Sequence, residues 1–96
     1  MGEAIIRKHL IFSGRVQGVG FRWRAMQAAD AVGATGWVRN DGIGTVSMEL
    51  QGTESQIDRV IQMLDRARYI RIDGINARRI PVEPGERDFV TRDSEW

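Results

Sequence analysis

Thr45-Val46-Ser47-Met48-Glu49-Leu50-Gln51-Gly52-Thr53-Glu54-Ser55-Gln56-Ile57 changes its hydrophobic period midway, and that change decides the architecture. Up to Gln51, the apolar Val46, Met48 and Leu50 alternate with polar residues, the pattern of a half-buried β-strand. Gly52 closes the strand. Thr53 and Gln56 then stand at capping-box spacing, and Ile57, Val60, Ile61 and Leu64 recur on one face of a helix. Just upstream, Asp41-Gly42-Ile43-Gly44 reads as a turn and residues 37–40 as a short strand, so a β-hairpin leads into a helix.

Toward the N-terminus, residues 8–13 are rich in β-formers, with Leu10 and Phe12 on one face, Ile11 on the other, and an end at Gly14. A glycine-bearing loop follows, and then Phe21, Ala25, Ala28, Ala29 and Val32 recur at helical spacing until Gly33. Toward the C-terminus, Ile70 and Ile72 open a less regular strand that Gly74 interrupts. Pro81, Pro84 and Gly85 make a loop, and residues 88–92 form a short last strand. The order is β-α-β-β-α-β plus a terminal strand, an α/β (α+β) sandwich of ferredoxin-like type. Its sheet is expected to be mainly antiparallel, with both helices on one face. The other face is either partly covered by long or aromatic side chains or wet. Residues 1–96 are expected to form a single domain.

Composition narrows the function. There is no cysteine, which removes disulfides, thiolate metal sites and a thiol nucleophile and is compatible with a reducing cytoplasm. The formal charge is +1, too balanced for a dedicated nucleic-acid binder, and the 13 arginines read mostly as a solvated surface. RNA-recognition domains share this element order, yet the strand from Thr45 to Gln51 carries no aromatic stacking residues. No apolar run is long enough to span a bilayer, and the first eight residues lack a secretory pattern. The charge total therefore points to no polymeric partner, neither nucleic acid nor membrane. The sequence is silent on oligomeric state, for which monomer is the default, and a cytoplasmic location is the expectation.

The chemistry concentrates in Gly14-Arg15-Val16-Gln17-Gly18-Val19-Gly20-Phe21-Arg22, between a strand end and a helix start. Such a loop turns backbone N–H groups toward one point, and the helix N-terminus adds its positive pole. Arg22 adds a guanidinium fork suited to phosphate or carboxylate. A tight structural connection would leave the same trace. Topology supplies a second element: in a β-α-β crossover the first two strands run parallel, so Asn40 ends at the same sheet edge as the loop. Its amide offers a donor and an acceptor for a water, although beside Asp41-Gly42 it also suits a turn.

The string from Gly14 to Arg22 resembles the phosphate-binding signature of the acylphosphatases, and Gly36-Trp37-Val38-Arg39-Asn40 with Gly44, Val46 and Gly52 resembles their second signature. The likeness spans residues 8–90 and is weakest after Ala67. It implies hydrolysis of acyl phosphates without metal or organic cofactor, by in-line attack of a positioned water. Arg22 would bind the phosphate, Asn40 would place the water, and the loop Arg15, Val16, Gln17, Gly18, Val19 and Gly20 would cradle the anion. Phosphate or sulfate would compete. The family usually has Asp where Ile43 stands, and Arg71-Ile72-Asp73-Gly74-Ile75 is a less familiar fourth strand. A binding module without turnover, or an acylphosphatase-like part of a larger maturation protein, is the competing reading.

Other residues carry less. His9, the only histidine, lies in the first strand away from the loop and reads as structural. Trp23 is placed either against the acyl part of a substrate or in ordinary packing. Trp37 and Trp96 read as packing and terminal residues. Asp30, Asp41, Glu49, Asp58 and Asp73 show no acid–base pairing, and no carboxylate or histidine set has metal-ligand spacing.

Overall fold

The computed structural model describes residues 3–92, and Trp96 lies outside them. In chain order the elements are β1 (Ile6–Arg15), α1 (Phe21–Val32), β2 (Thr35–Asn40), β3 (Val46–Gly52), α2 (Glu54–Asp65), β4 (Arg71–Ile80) and β5 (Phe89–Thr91). The strands form one sheet in the order β4-β1-β3-β2-β5. All pairings are antiparallel except β2 with β5. The α/β sandwich expected from the sequence is present, with the terminal strand on the far edge.

Register explains which residues are buried. Leu10 pairs with Met48 and Phe12 with Val46, while Val38 pairs with Met48, so these residues share the helix-covered face. They join Phe21, Ala25, Ala28 and Ala29 of α1 and Ile57, Val60 and Leu64 of α2 in one core. The capping box at Thr53 is formed: Gln56 N–H donates to Thr53 Oγ1 at 3.1 Å, and Thr53 N–H donates to Gln56 Oε1 at 2.8 Å. Gln56 Nε2 also donates to the Val32 carbonyl at 2.7 Å, so one side chain starts α2 and ties it to the end of α1.

The strands run further than their apolar residues suggest. β1 begins at Ile6 and reaches Arg15, passing a register irregularity between Ser13 and Gly14. β4 runs as one strand to Ile80 along β1, but the irregularity expected at Gly74 is there: the register passes from Gly74 to Ile72 and skips Asp73, a bulge opposite Ser13 and Gly14. Burial alternates in β4 only over residues 71–75, and residues 75–79 are all exposed, so the second half of the strand has no period for the sequence to register. The final strand is shorter than expected, Phe89–Thr91.

The face away from the helices is partly covered by long and aromatic side chains, Arg7 and Trp37 among them, as one of the two alternatives expected, and main chain adds to that cover. Ser47 and Gln51 are buried, which makes β3 covered on both faces rather than half-buried. The main-chain cover is the connection from β4 to β5, a strap that crosses the sheet and is held by Arg7. Arg7 Nη1 and Nη2 donate to the two Glu86 carboxylate oxygens at 2.8 and 3.2 Å, and Nε donates to Glu49 Oε1 at 3.0 Å. Gln51 Nε2 donates to the Glu83 carbonyl and Gln51 Oε1 accepts the Glu83 N–H. His9 Nδ1 donates to Glu49 Oε2 at 2.9 Å. Trp37 lies beside this cluster under the guanidinium groups of Arg39 and Arg92, 5.1 and 4.5 Å from its ring.

This network sets the electrostatics. Burial would push the Glu49 carboxyl up, but the hydrogen bonds from His9 and Arg7 and the attraction of both groups outweigh it and hold the carboxyl below its ordinary value. For Arg7, burial works against the charge, while Glu86 and Glu49 together raise its pKa. A carboxyl depressed in the folded state contributes stability that is present above its unfolded pKa and is lost as pH falls through the folded value. The protein is therefore expected to lose stability below about pH 4.3, and Glu49→Gln to flatten that loss, in urea unfolding followed across pH. Arg7→Ala leaves two carboxylates facing each other without their cation. It is expected to destabilise by about 3 kcal/mol at neutral pH, taken at the low end because both carboxylates keep some water. An unchanged urea midpoint would show that the strap is held elsewhere.

Candidate functional site

β1 and β2 are both antiparallel to β3, so they run the same way and their C-terminal ends share one edge of the sheet. The loop after β1 and Asn40, the last residue of β2, meet there. Between them is a cavity of about 420 Å³ lined by Val16, Gly18, Gly20, Phe21, Arg22, Trp23, Met26, Asn40 and Thr91. Two residues that nothing but topology connects, Arg22 and Asn40, thus face one space.

The loop is pinned from inside and open outside. Val16 is buried and Val19 packs against the core, while Gly18 and Gly20 are exposed. Phe21 anchors the start of α1 by packing on Phe12, ring centroids 5.0 Å apart. Gly20 is the N-cap of α1 in a left-handed conformation at φ 79°, and Gly18 has φ 69°. A Cβ at either position would meet no atom, so what glycine provides is the backbone angle and an uncovered main chain. No side chain caps the helix and no acidic residue sits in its first turn. Its free N–H groups and positive pole are left facing the cavity.

Arg22 and Asn40 are both half-buried, and among the described residues neither side chain has a hydrogen-bond or ion-pair partner. Most polar side chains in such surroundings bond to protein, so these two, unpaired in one cavity, are open to a ligand or to water.

The remaining loop residues have different settings. Arg15 is exposed at the end of β1 opposite Arg71 and does not line the cavity. The Gln17 side chain turns to the hairpin, where Nε2 donates to the carbonyls of Asp41 at 2.7 Å and Thr45 at 2.8 Å. Both amide protons are used, which ties the loop to the turn just after Asn40. The turn itself opens on Asp41. Gly44 N–H donates to the Asp41 carbonyl, and the Asp41 carboxylate accepts from Thr45 Oγ1 and Ser47 Oγ at 2.7 Å each. Gly44 takes the positive φ of 95° that closes the turn, which leaves Ile43 at the tip almost wholly exposed. Asp41, rather than the residue at position 43, holds this turn.

Met26 and Thr91 escaped the sequence reading. Met26 has a legible signal, one helical turn beyond Trp23, but Thr91 comes from a strand with no chemical motif. His9 sits on the opposite face of the sheet with Glu49, consistent with a structural role. Among the described residues, no group of three or more His, Cys, Asp or Glu side chains is arranged to hold a metal ion. Nor is any described helix long and apolar enough to cross a membrane.

The family profile for acylphosphatase matches residues 8–91. An acylphosphatase from Geobacillus thermodenitrificans is 37% identical over 84 residues, covering 86% of this chain and 89% of the relative. One from Pseudomonas paraeruginosa is 36% identical over 85 residues, covering 88% and 92%. The crystal structure of acylphosphatase from Bacillus subtilis superimposes with a TM-score of 0.83 at 26% identity, covering 91% of this chain and 98% of that one. Full-length HypF in its phosphate- and nucleotide-bound form gives 0.85 at 26% identity, covering 99% of this chain and 13% of HypF.

Gln17→Ala removes two partly buried hydrogen bonds between loop and hairpin. It is expected to destabilise by about 1–3 kcal/mol and to speed hydrogen exchange at the Asp41 amide, read by urea unfolding and by NMR.

Proposed function

This chain belongs to the acylphosphatase family, and from that premise we propose how its residues divide the work. The reaction is hydrolysis of the carboxyl–phosphate anhydride of a small acyl phosphate to a carboxylate and inorganic phosphate. In our reading Arg22 grips the substrate phosphate by a charge-assisted fork, and the main chain of the loop formed by Val16, Gln17, Gly18, Val19 and Gly20 wraps around it, with Arg15 at the end of β1 outside the cavity. Asn40 holds the attacking water with its amide. The observation that carries this reading is that Arg22 and Asn40, both without a partner among the described residues, line one cavity at the uncapped start of α1.

The chemistry asks little more of the protein. Water attacks phosphorus in line with the bond to the acyl oxygen. That P–O bond breaks, its electron pair leaves with the carboxylate, and the water proton passes to an oxygen of the substrate's own phosphate. Because the carboxylate is a good leaving group, no general acid is required at it. Phosphoryl transfer then depends on positioning and on stabilising charge on the phosphoryl oxygens, which a guanidinium and a helix N-terminus supply. Metal plays no part in this scheme. The same reading makes phosphate and sulfate competing anions and the protein a cytoplasmic monomer.

The test is hydrolysis of benzoyl phosphate in the presence of EDTA. Native protein is expected to turn over, and Arg22→Ala and Asn40→Ala each to lose activity on the order of 100-fold or more while remaining folded. Arg22→Ala should also lose inhibition by inorganic phosphate, whereas Asn40→Ala should keep it. A folded native protein that binds phosphate without hydrolysing benzoyl phosphate would instead indicate a binding module.

A further inference from the structure

We infer that Trp23 selects the acyl group: the acyl moiety of the substrate lies against the Trp23 ring with Met26 beyond it, favouring flat apolar acyl phosphates over acetyl phosphate. This rests on the acyl-phosphate reading of the cavity. Trp23 takes no part in the core, since the buried side of α1 is made by Phe21, Ala25, Ala28 and Ala29. Its side chain is 57% exposed, a large apolar surface left in water. Yet it lines the same cavity as Arg22 and Asn40.

The position follows from helix geometry. Trp23 directly follows Arg22, and Met26 stands three residues on, about 4.5 Å further along the helix axis and on the same side as Trp23. A phosphate held at the start of α1 therefore has Trp23 and then Met26 as the wall leading away from it, with Thr91 of β5 also on the cavity surface. The cavity, about 420 Å³, is in the range of sites that take a whole small molecule, and a phosphate alone leaves much of it empty. In an acyl phosphate the acyl carbon is joined to the phosphate through one oxygen, so the acyl group must occupy the space beside the phosphate. An indole there offers a rigid, flat, apolar face with little conformational entropy to lose. The Arg24 guanidinium stands over the ring, 5.4 Å from its centroid, and takes up one of its two faces, so the acyl group is assigned to the other.

The experiment compares kcat/KM for benzoyl phosphate and acetyl phosphate in native protein, Trp23→Ala and Trp23→Phe. Trp23→Ala is expected to lower the benzoyl-to-acetyl ratio about tenfold, chiefly through KM for benzoyl phosphate, and Trp23→Phe to retain most of it. Urea midpoints check that all three proteins are folded. A ratio unchanged in Trp23→Ala, with both substrates still hydrolysed or both slowed alike, overturns the inference and leaves the hydrolase intact. A native protein that hydrolyses neither substrate overturns the acyl-phosphate reading, and the role of Trp23 with it.

Discussion

Two strands that never touch, β1 and β2, are both bound antiparallel to β3, and the rest of the molecule follows from that constraint. An antiparallel neighbour on each side of β3 forces the outer two to run in the same direction. Chain connectivity then has to cross from the end of β1 back to the start of β2, and α1 is that crossing. The crossing begins at the very edge where β2 ends. The pairing therefore does three things together: it buries Leu10, Phe12, Val46 and Met48 on one face, exposes the N-terminus of α1 at a sheet edge, and delivers Asn40 beside it.

The site is held by interactions that lie outside it. Phe21 is locked to Phe12 beneath the loop, and Gln17 is locked to the hairpin beside it. Both leave the cavity-facing groups free. The loop residues that point inward are the valines, and those left at the surface are glycines. This division is physical: a cradle for an anion needs exposed N–H groups, and exposed N–H groups need the rest of the loop anchored well enough to hold unfavourable backbone angles. The same logic explains a helix start with neither a capping side chain nor an acidic first turn. It forgoes stability that α2 gains at Thr53, and its positive pole is left uncompensated at the cavity.

The underside of the sheet reaches the site indirectly. Arg7, buried among Glu49, Gln51 and Glu86, fastens the strap that crosses from the β4 edge to the β2 edge. At its far end the strap becomes β5, whose Phe89 enters the core and whose Thr91 reaches the cavity. A polar cluster on one face thereby supports a wall of a site on the other. A buried cation among carboxylates is costly to assemble, but its directional bonds specify one path for a strap that carries few apolar residues.

The sequence by itself determined the elements whose residues repeat at a definite period. The alternation of Val46, Met48 and Leu50, the capping box at Thr53 and Gln56, and the spacing of Phe21, Ala25, Ala28 and Ala29 are all local, and local patterns survive in one dimension. That Arg22 stands with the glycine loop at a helix start was legible for the same reason, since a strand end, a loop and a helix start are read in order along the chain. Asn40 joined them on one cavity through the crossover rule that makes β1 and β2 parallel. Only the tertiary structure decided the rest. β4 is long because β1 lies beside it, not because of its own mostly exposed side chains. Arg7 is buried because Glu86 comes to it from 79 residues away. Gln17 faces the hairpin rather than the cavity because two carbonyls are within reach there. Thr91 lines the cavity because β5 adds to the free edge of β2. Each of these depends on which groups long-range pairing brings together, and no period in the sequence encodes that.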